Sequence, residues 1–152
     1  MTRNLTDDPI QVPAARRQAI ERLAAELVRG QLVALSTHIN ADGDGCGSES
    51  ALAGLLGQMG IDAHIVNPTP WPTMYNYLLG DGTAAVSDRT SDGAGALKSI
   101  DRLIVLDISD VRRLGNLAEA VRALKVPPLG IDHHLPGEEP PGPIMITDVT
   151  AC

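Results

Sequence analysis

A chain of 152 residues is long enough for one compact domain with a real core. Its 12 Lys and Arg against 19 Asp and Glu give a formal charge of −7, which argues against a long basic groove for duplex or extended single-stranded nucleic acid. With no Phe, one Trp and two Tyr, the core must be built from Leu, Ile, Val and Ala. Two cysteines, Cys46 and Cys152, make no disulfide framework. Met1 to Ile10 has no apolar signal core, and no run reaches membrane-spanning length, so the expectation is a soluble, cytoplasmic protein with no membrane partner.

Residues 1–12 read as a loose lead-in. Pro13 suits the first turn of a helix. Ile20, Leu23, Ala24, Leu27 and Val28 recur at helical spacing opposite Arg16, Arg17, Glu21, Arg22 and Glu26, and Gly30 is the expected stop. Leu32–Ser36 is a short apolar strand, followed by a loop from His38 to Gly47. A helix is expected from Ser48 to Gln58, burying Leu52, Leu55, Leu56 and Met59 and ending at Gly60. Ile61–Val66 reads as a strand, Asn67–Pro72 as a proline-rich loop and Tyr75–Leu79 as a short helix closed by Gly80. Ala84–Val86 is a short strand, Ser91–Gly95 a turn and Ala96–Ile100 a helical turn. Arg102–Leu106 is the clearest strand in the chain, ended by Asp107. A helix over Leu117–Leu124 is broken by Pro127 and Pro128. Leu129–Ile131 is a strand running into Asp132-His133-His134, Glu138–Pro143 is a loop, and Ile144–Thr147 is the last strand. Apolar strands alternating with helices predict an α/β fold, a parallel sheet with helices on both faces.

In such sheets ligands sit at the carboxyl ends of the strands. His38, Asp107, Asp132-His133-His134 and Asp148 all fall there. The stretch Thr37-His38-Ile39-Asn40-Ala41-Asp42-Gly43-Asp44-Gly45-Cys46-Gly47-Ser48 carries an imidazole and two carboxylates among glycines, the donor chemistry of a hard-cation site. Its bland alternative is a glycine-rich turn with solvated aspartates. An EF-hand is excluded because the twelfth position is Ala51, not a bidentate Glu, and a strand precedes the loop. Asp107 can either bridge two metals or cap a turn. Arg112 and Arg113 can hold a phosphate or simply start a solvated helix. His133 and His134 are neighbours in an extended segment and point to opposite sides, so one suits a metal and the other a substrate, with Asp132 fixing a ring tautomer. His64, Trp71 and Tyr75 read as structural, and Cys46 as a small packing residue whose soft sulfur would suit zinc better than a carboxylate-rich site.

Taken together, Thr37 through Ser48, then Val105-Leu106-Asp107, then Ile131-Asp132-His133-His134 resemble the DHH phosphoesterase family, in that family's own order and over about residues 14–152. The nearest likeness is to the bacterial branch that degrades short oligoribonucleotides and dephosphorylates 3′-phosphoadenosine 5′-phosphate. The resemblance implies two Mn²⁺ ions, with Mg²⁺ or Co²⁺ as substitutes. His38 and Asp42 would serve one ion, Asp44 and His133 the other, and Asp107 both. His134 would face the scissile phosphate; apart from the resemblance, Arg113, close after Asp107, is the expected substrate contact. The resemblance also implies short RNA or a phosphorylated nucleotide as partner, and a possible homodimer. Inorganic pyrophosphate and cyclic dinucleotides belong to other branches with these motifs, and a non-catalytic metal-binding module is the reading from another class. Family members continue further, with another metal-binding Asp and a substrate-gripping second domain. The expectation is therefore a catalytic domain over 13–152 that is the core part of a longer protein.

Overall fold

The computed structural model describes residues 12–79 and 93–151. Five strands, β1 (Leu32–Ser36), β2 (Asp62–Ile65), β3 (Arg102–Leu106), β4 (Leu129–Asp132) and β5 (Ile144–Thr147), form one sheet in the order β2-β1-β3-β4-β5. Every neighbouring pair is parallel. The order reverses between β1 and β3, which puts a topological switch point where His38 and Asp107 leave the sheet. The expected α/β architecture is the one observed. The expected strand over Ala84–Val86 lies outside the described residues.

Period-two alternation sorts the central strands between two apolar layers. Val33, Leu35, Ile104 and Leu106 face a cluster completed by Leu23 of α1 (Ala14–Ala24) and by Cys46, Ala53 and Leu56 of α2 (Gly43–Gln58). Ala34, Leu103 and Val105 face the other cluster. It is completed by α3 (Gly93–Ala96), the 3-10 turn Leu97–Ser99, the 3-10 segment Val111–Leu117 and α4 (Ala118–Arg122). With both faces covered, these strands need no polar face, which is why their sequences read as unbroken apolar runs.

Gly93–Ala96 is helical where a turn to Gly95 is expected, α4 ends at Arg122 rather than Leu124, and α1 and α2 depart further. α1 stops at Ala24, well short of Gly30, and Pro13 is its N-cap residue rather than part of its first turn. The segment after it turns instead, with Val28 N–H donating to the Gln31 side chain at 2.8 Å and Gly30 at φ +88°. α2 begins five residues earlier than Ser48, at Gly43, because Asp42 caps it: Asp42 Oδ1 accepts from the amides of Asp44 (3.0 Å) and Gly45 (3.2 Å). The cap bonds offset the backbone entropy that Gly43, Gly45 and Gly47 cost inside a helix. The buried face of α2 is Gly45, Cys46, Glu49, Ala53 and Leu56, while Leu55 and Met59 are exposed. Of the expected stripe only Leu56 is fully buried.

Candidate metal centre

Three strand ends and one helix start meet at the carboxyl edge of the sheet. β1 delivers His38, β3 delivers Asp107 and β4 delivers Asp132-His133-His134, while α2 opens on Asp42 and Asp44. Asp107 stands at the centre because β3 lies between β1 and β4. Its backbone is left-handed (φ +59°), as is that of Asn40 (φ +56°), a conformation that Asp and Asn tolerate better than other side chains. The Asp107 amide still donates to the Ile131 carbonyl at 2.9 Å, so the turn stays stitched to β4.

His38 Nε2 lies 3.4 Å from Asp107 Oδ2 and 3.7 Å from Asp42 Oδ2. Its other nitrogen, Nδ1, donates to the Ile39 carbonyl at 2.9 Å, which fixes the tautomer and leaves Nε2 with a lone pair. On the far side, His133 Nε2 lies 3.1 Å from Asp107 Oδ1 and 3.4 Å from Asp44 Oδ2. His134 Nδ1 donates to Asp132 Oδ1 at 2.7 Å and stands 3.5 Å from Asp107 Oδ1. Two triads of donor atoms, each within 4.8 Å of one another, share one residue: His38, Asp42 and Asp107, and Asp107, His133 and His134. Asp44 joins through His133. Asp132 holds His134 by Nδ1, which leaves Nε2 free of that contact.

The electrostatics match a cation site. The Gly45 amide, seconded by the Asp44 amide, His38 and Arg113, holds the Asp42 carboxyl below its ordinary range despite some burial. Burial works against a charge on His133. The hydrogen bond to Asp107 and the charges of Asp107 and Asp44 outweigh it and raise its pKa. Three carboxylates crowded into one site repel one another, and a divalent cation relieves that repulsion. Carboxylate oxygens with imidazole nitrogens form a donor set suited to Mn²⁺. Cys46 adds no sulfur ligand: it is fully buried in the core, and burial pushes its thiol up to about 12.

The first-motif loop is held from two sides. Thr37 N–H donates to Asn67 Oδ1 (2.9 Å) and Asn40 N–H to Thr69 Oγ1 (2.8 Å), both on the loop after β2, while Ile39 N–H donates to the Arg113 carbonyl (3.0 Å). α2 packs on the same loop so closely that a Cβ on Gly45 would lie 2.7 Å from Thr37 Oγ1. Gly45→Ala is therefore expected to lower stability by about 1–3 kcal/mol, the usual cost of overpacking, read as a lower urea midpoint with unchanged slope.

Other sequence expectations fall as follows. Arg113 is exposed and stands within electrostatic reach of Asp42. Arg112 is engaged instead by Asp110 (2.8 and 2.6 Å) and Glu138 (3.0 Å). Asp110 also accepts from the amides of Glu138 and Glu139, so this pair ties down the loop that follows His134. Asp148 accepts from Thr150 and pairs with Arg16 of α1. Arg16 and Ser48, given no role by sequence reasoning, line a cavity of about 410 Å³ beside Asp44, Asp107 and His133. Trp71 is buried in the core, and Tyr75 packs against it with its hydroxyl over Gly43. Sequence reasoning also passed over Glu49, Asn67 and Thr69. The signal for Asn67 was its place just past the carboxyl end of β2, the edge where the other polar residues gather.

Residues 32–151 match the DHH family, N-terminal domain. The chain belongs to the DHH family. A comparison with curated proteins found no match. Among solved structures, this DHH chain is similar to an exopolyphosphatase-related protein from Bacteroides fragilis, at 22% identity and a TM-score of 0.72 over 88% of the chain. It is also similar to RecJ of Thermus thermophilus, solved in complex with Mn²⁺, at 21% identity and a TM-score of 0.54 over 93% of the chain. The DHH chain spans 39% of the first structure's length and 18% of the second's. At these identities the likeness is one of fold. No helix among the described residues is long and apolar enough to cross a membrane.

Proposed function

We propose that this domain is the catalytic domain of a cytoplasmic phosphoesterase that hydrolyses phosphoryl bonds with two Mn²⁺ ions. The observation that carries the reading is the sharing of Asp107 between two donor triads. Bound together, the two ions would supply an activated water and neutralise charge developing on the phosphoryl oxygens. His38 and Asp42 would hold one ion, Asp44 and His133 the other, and Asp107 both. His134, held by Asp132 through Nδ1, would face the scissile phosphate. Arg113, beside Asp42, would steady a substrate phosphate. The names of the two neighbours, an exopolyphosphatase-related protein and RecJ bound to Mn²⁺, agree with phosphoryl chemistry.

Short oligoribonucleotides and 3′-phosphoadenosine 5′-phosphate are the preferred substrates. The acidic chain disfavours long nucleic acid, whereas short phosphates need only the local positive field of bound ions. The protein should be assayed with Mn²⁺ against a ribodinucleotide, the adenosine bisphosphate, pyrophosphate and a cyclic dinucleotide. Faster turnover of pyrophosphate or the cyclic dinucleotide than of the ribodinucleotide would reject the choice of substrate. No turnover of any, with Mn²⁺ bound, would favour a metal-binding module.

A further inference from the structure

Glu49 is a charged residue type with 0% exposure, in the middle of α2 and a member of neither donor triad. Its Oε2 accepts from Asn67 Nδ2 at 2.9 Å, and its Oε1 has no partner among the described residues. Asn67 is itself only 6% exposed, and its Oδ1 takes the Thr37 amide, one residue before His38. Two residues past Asn67, Thr69 takes the Asn40 amide, two residues after His38. The loop after β2 thus grips the backbone on both sides of His38, and Glu49 orients the amide side chain that makes the inner grip. A buried carboxyl is costly, and an apolar residue of its size would serve packing better. Its retention points to the hydrogen bond it makes.

We infer that Asn67, oriented by Glu49, and Thr69 form a clamp that positions His38 and, through the loop it begins, the His38–Asp42 half of the metal centre. The inference rests on the reading of the centre as a metal site. The clamp residues touch no donor atom of either triad, so they are positioning residues. Such groups typically change metal affinity about 10–100-fold. Burial raises the Glu49 carboxyl to about 8, so at neutral pH it keeps its proton and a glutamine is its natural substitute.

The test uses four variants: Glu49→Gln, Glu49→Leu, Asn67→Ala and Thr69→Val. Two readouts apply to each: Mn²⁺ binding, followed by the loss of the free-ion resonance signal, and amide hydrogen exchange at Thr37 and Asn40 in metal-free protein. Glu49→Gln keeps an oxygen for Asn67 Nδ2 and should bind the tighter Mn²⁺ within about threefold of wild type. Glu49→Leu and Asn67→Ala should weaken it about 10–100-fold and speed exchange at Thr37. Thr69→Val, nearly isosteric and at a half-buried position that leaves the core intact, should weaken it about tenfold and speed exchange at Asn40. Wild-type Mn²⁺ affinity in both Glu49→Leu and Thr69→Val overturns the clamp. Equal loss in Glu49→Gln and Glu49→Leu also overturns it, since Glu49 would then act through its charge. A wild-type protein that takes up no Mn²⁺ overturns the metal reading instead. The clamp's grip is then decided by exchange alone, and unchanged protection at Thr37 and Asn40 in the variants rejects it.

Discussion

Asp107→Asn should empty the centre. Asn accepts the left-handed backbone of this position, so the turn at the end of β3 survives the change. What is lost is the one carboxylate common to both donor triads. Groups that merely orient a ligand are worth about 10–100-fold in affinity, so a direct ligand shared by two ions should cost more than about 100-fold at each. The measurement is Mn²⁺ stoichiometry together with thermal unfolding. Wild type should melt higher as Mn²⁺ is added, because the ion binds only the folded state, and Asp107→Asn should not. The metal-free melting temperature of each protein is the baseline, since the substitution relieves carboxylate crowding but weakens the contact with His133. A variant that still binds two ions would remove Asp107 from the bridging role.

The pH dependence of stability should carry the signature of Glu49. Its carboxyl titrates at an ordinary 4.5 in the unfolded chain and at about 8 in the folded one, because burial penalises the charge more than Asn67 relieves it. Between those values the folded state holds a proton that the unfolded state has released. Stability must therefore fall as pH rises through this window and level off above it. The slope is about 1.4 kcal/mol per pH unit, or on the order of 3 kcal/mol lost by pH 7. Glu49→Gln has no such proton. Its amide imposes a cost of its own, but one that does not vary with pH. The difference between the urea-unfolding free energies of wild type and Glu49→Gln should thus grow steadily in favour of the variant from about pH 4.5 to 8. A flat difference would show that Glu49 is ionised in the folded protein.

How much of this was legible in the sequence depended on the kind of signal. β1, β3 and β5 have the bounds read from the sequence, because apolar runs between polar residues leave little choice of register. The gathering of His38, Asp107 and Asp132–His134 on one edge followed from that, since each comes just past a strand or ends one. The start of α2 was missed because three glycines outweighed Asp42 in the reading, whereas in the fold the cap bonds decide. The buried face of α2 was misplaced because it contains Glu49, a residue that composition assigns to water. The clamp was illegible for a different reason. Thr37 and Asn67 are 30 residues apart and Asn67 and Glu49 are 18 apart, and neither pair has any periodicity to announce it.

The placement of Asp107 on the middle strand makes the sheet a ruler for the centre. Adjacent strands lie about 4.8 Å apart, so the ends of β1 and β4 reach Asp107 from either side at a spacing set by backbone hydrogen bonds rather than by side chains. The same ruler is unforgiving of phase. Inserting a single residue within Arg102–Leu106 would keep an apolar strand of much the same composition and would alter no donor, yet it would turn Asp107 to the opposite face of the sheet and dismantle both halves of the centre at once.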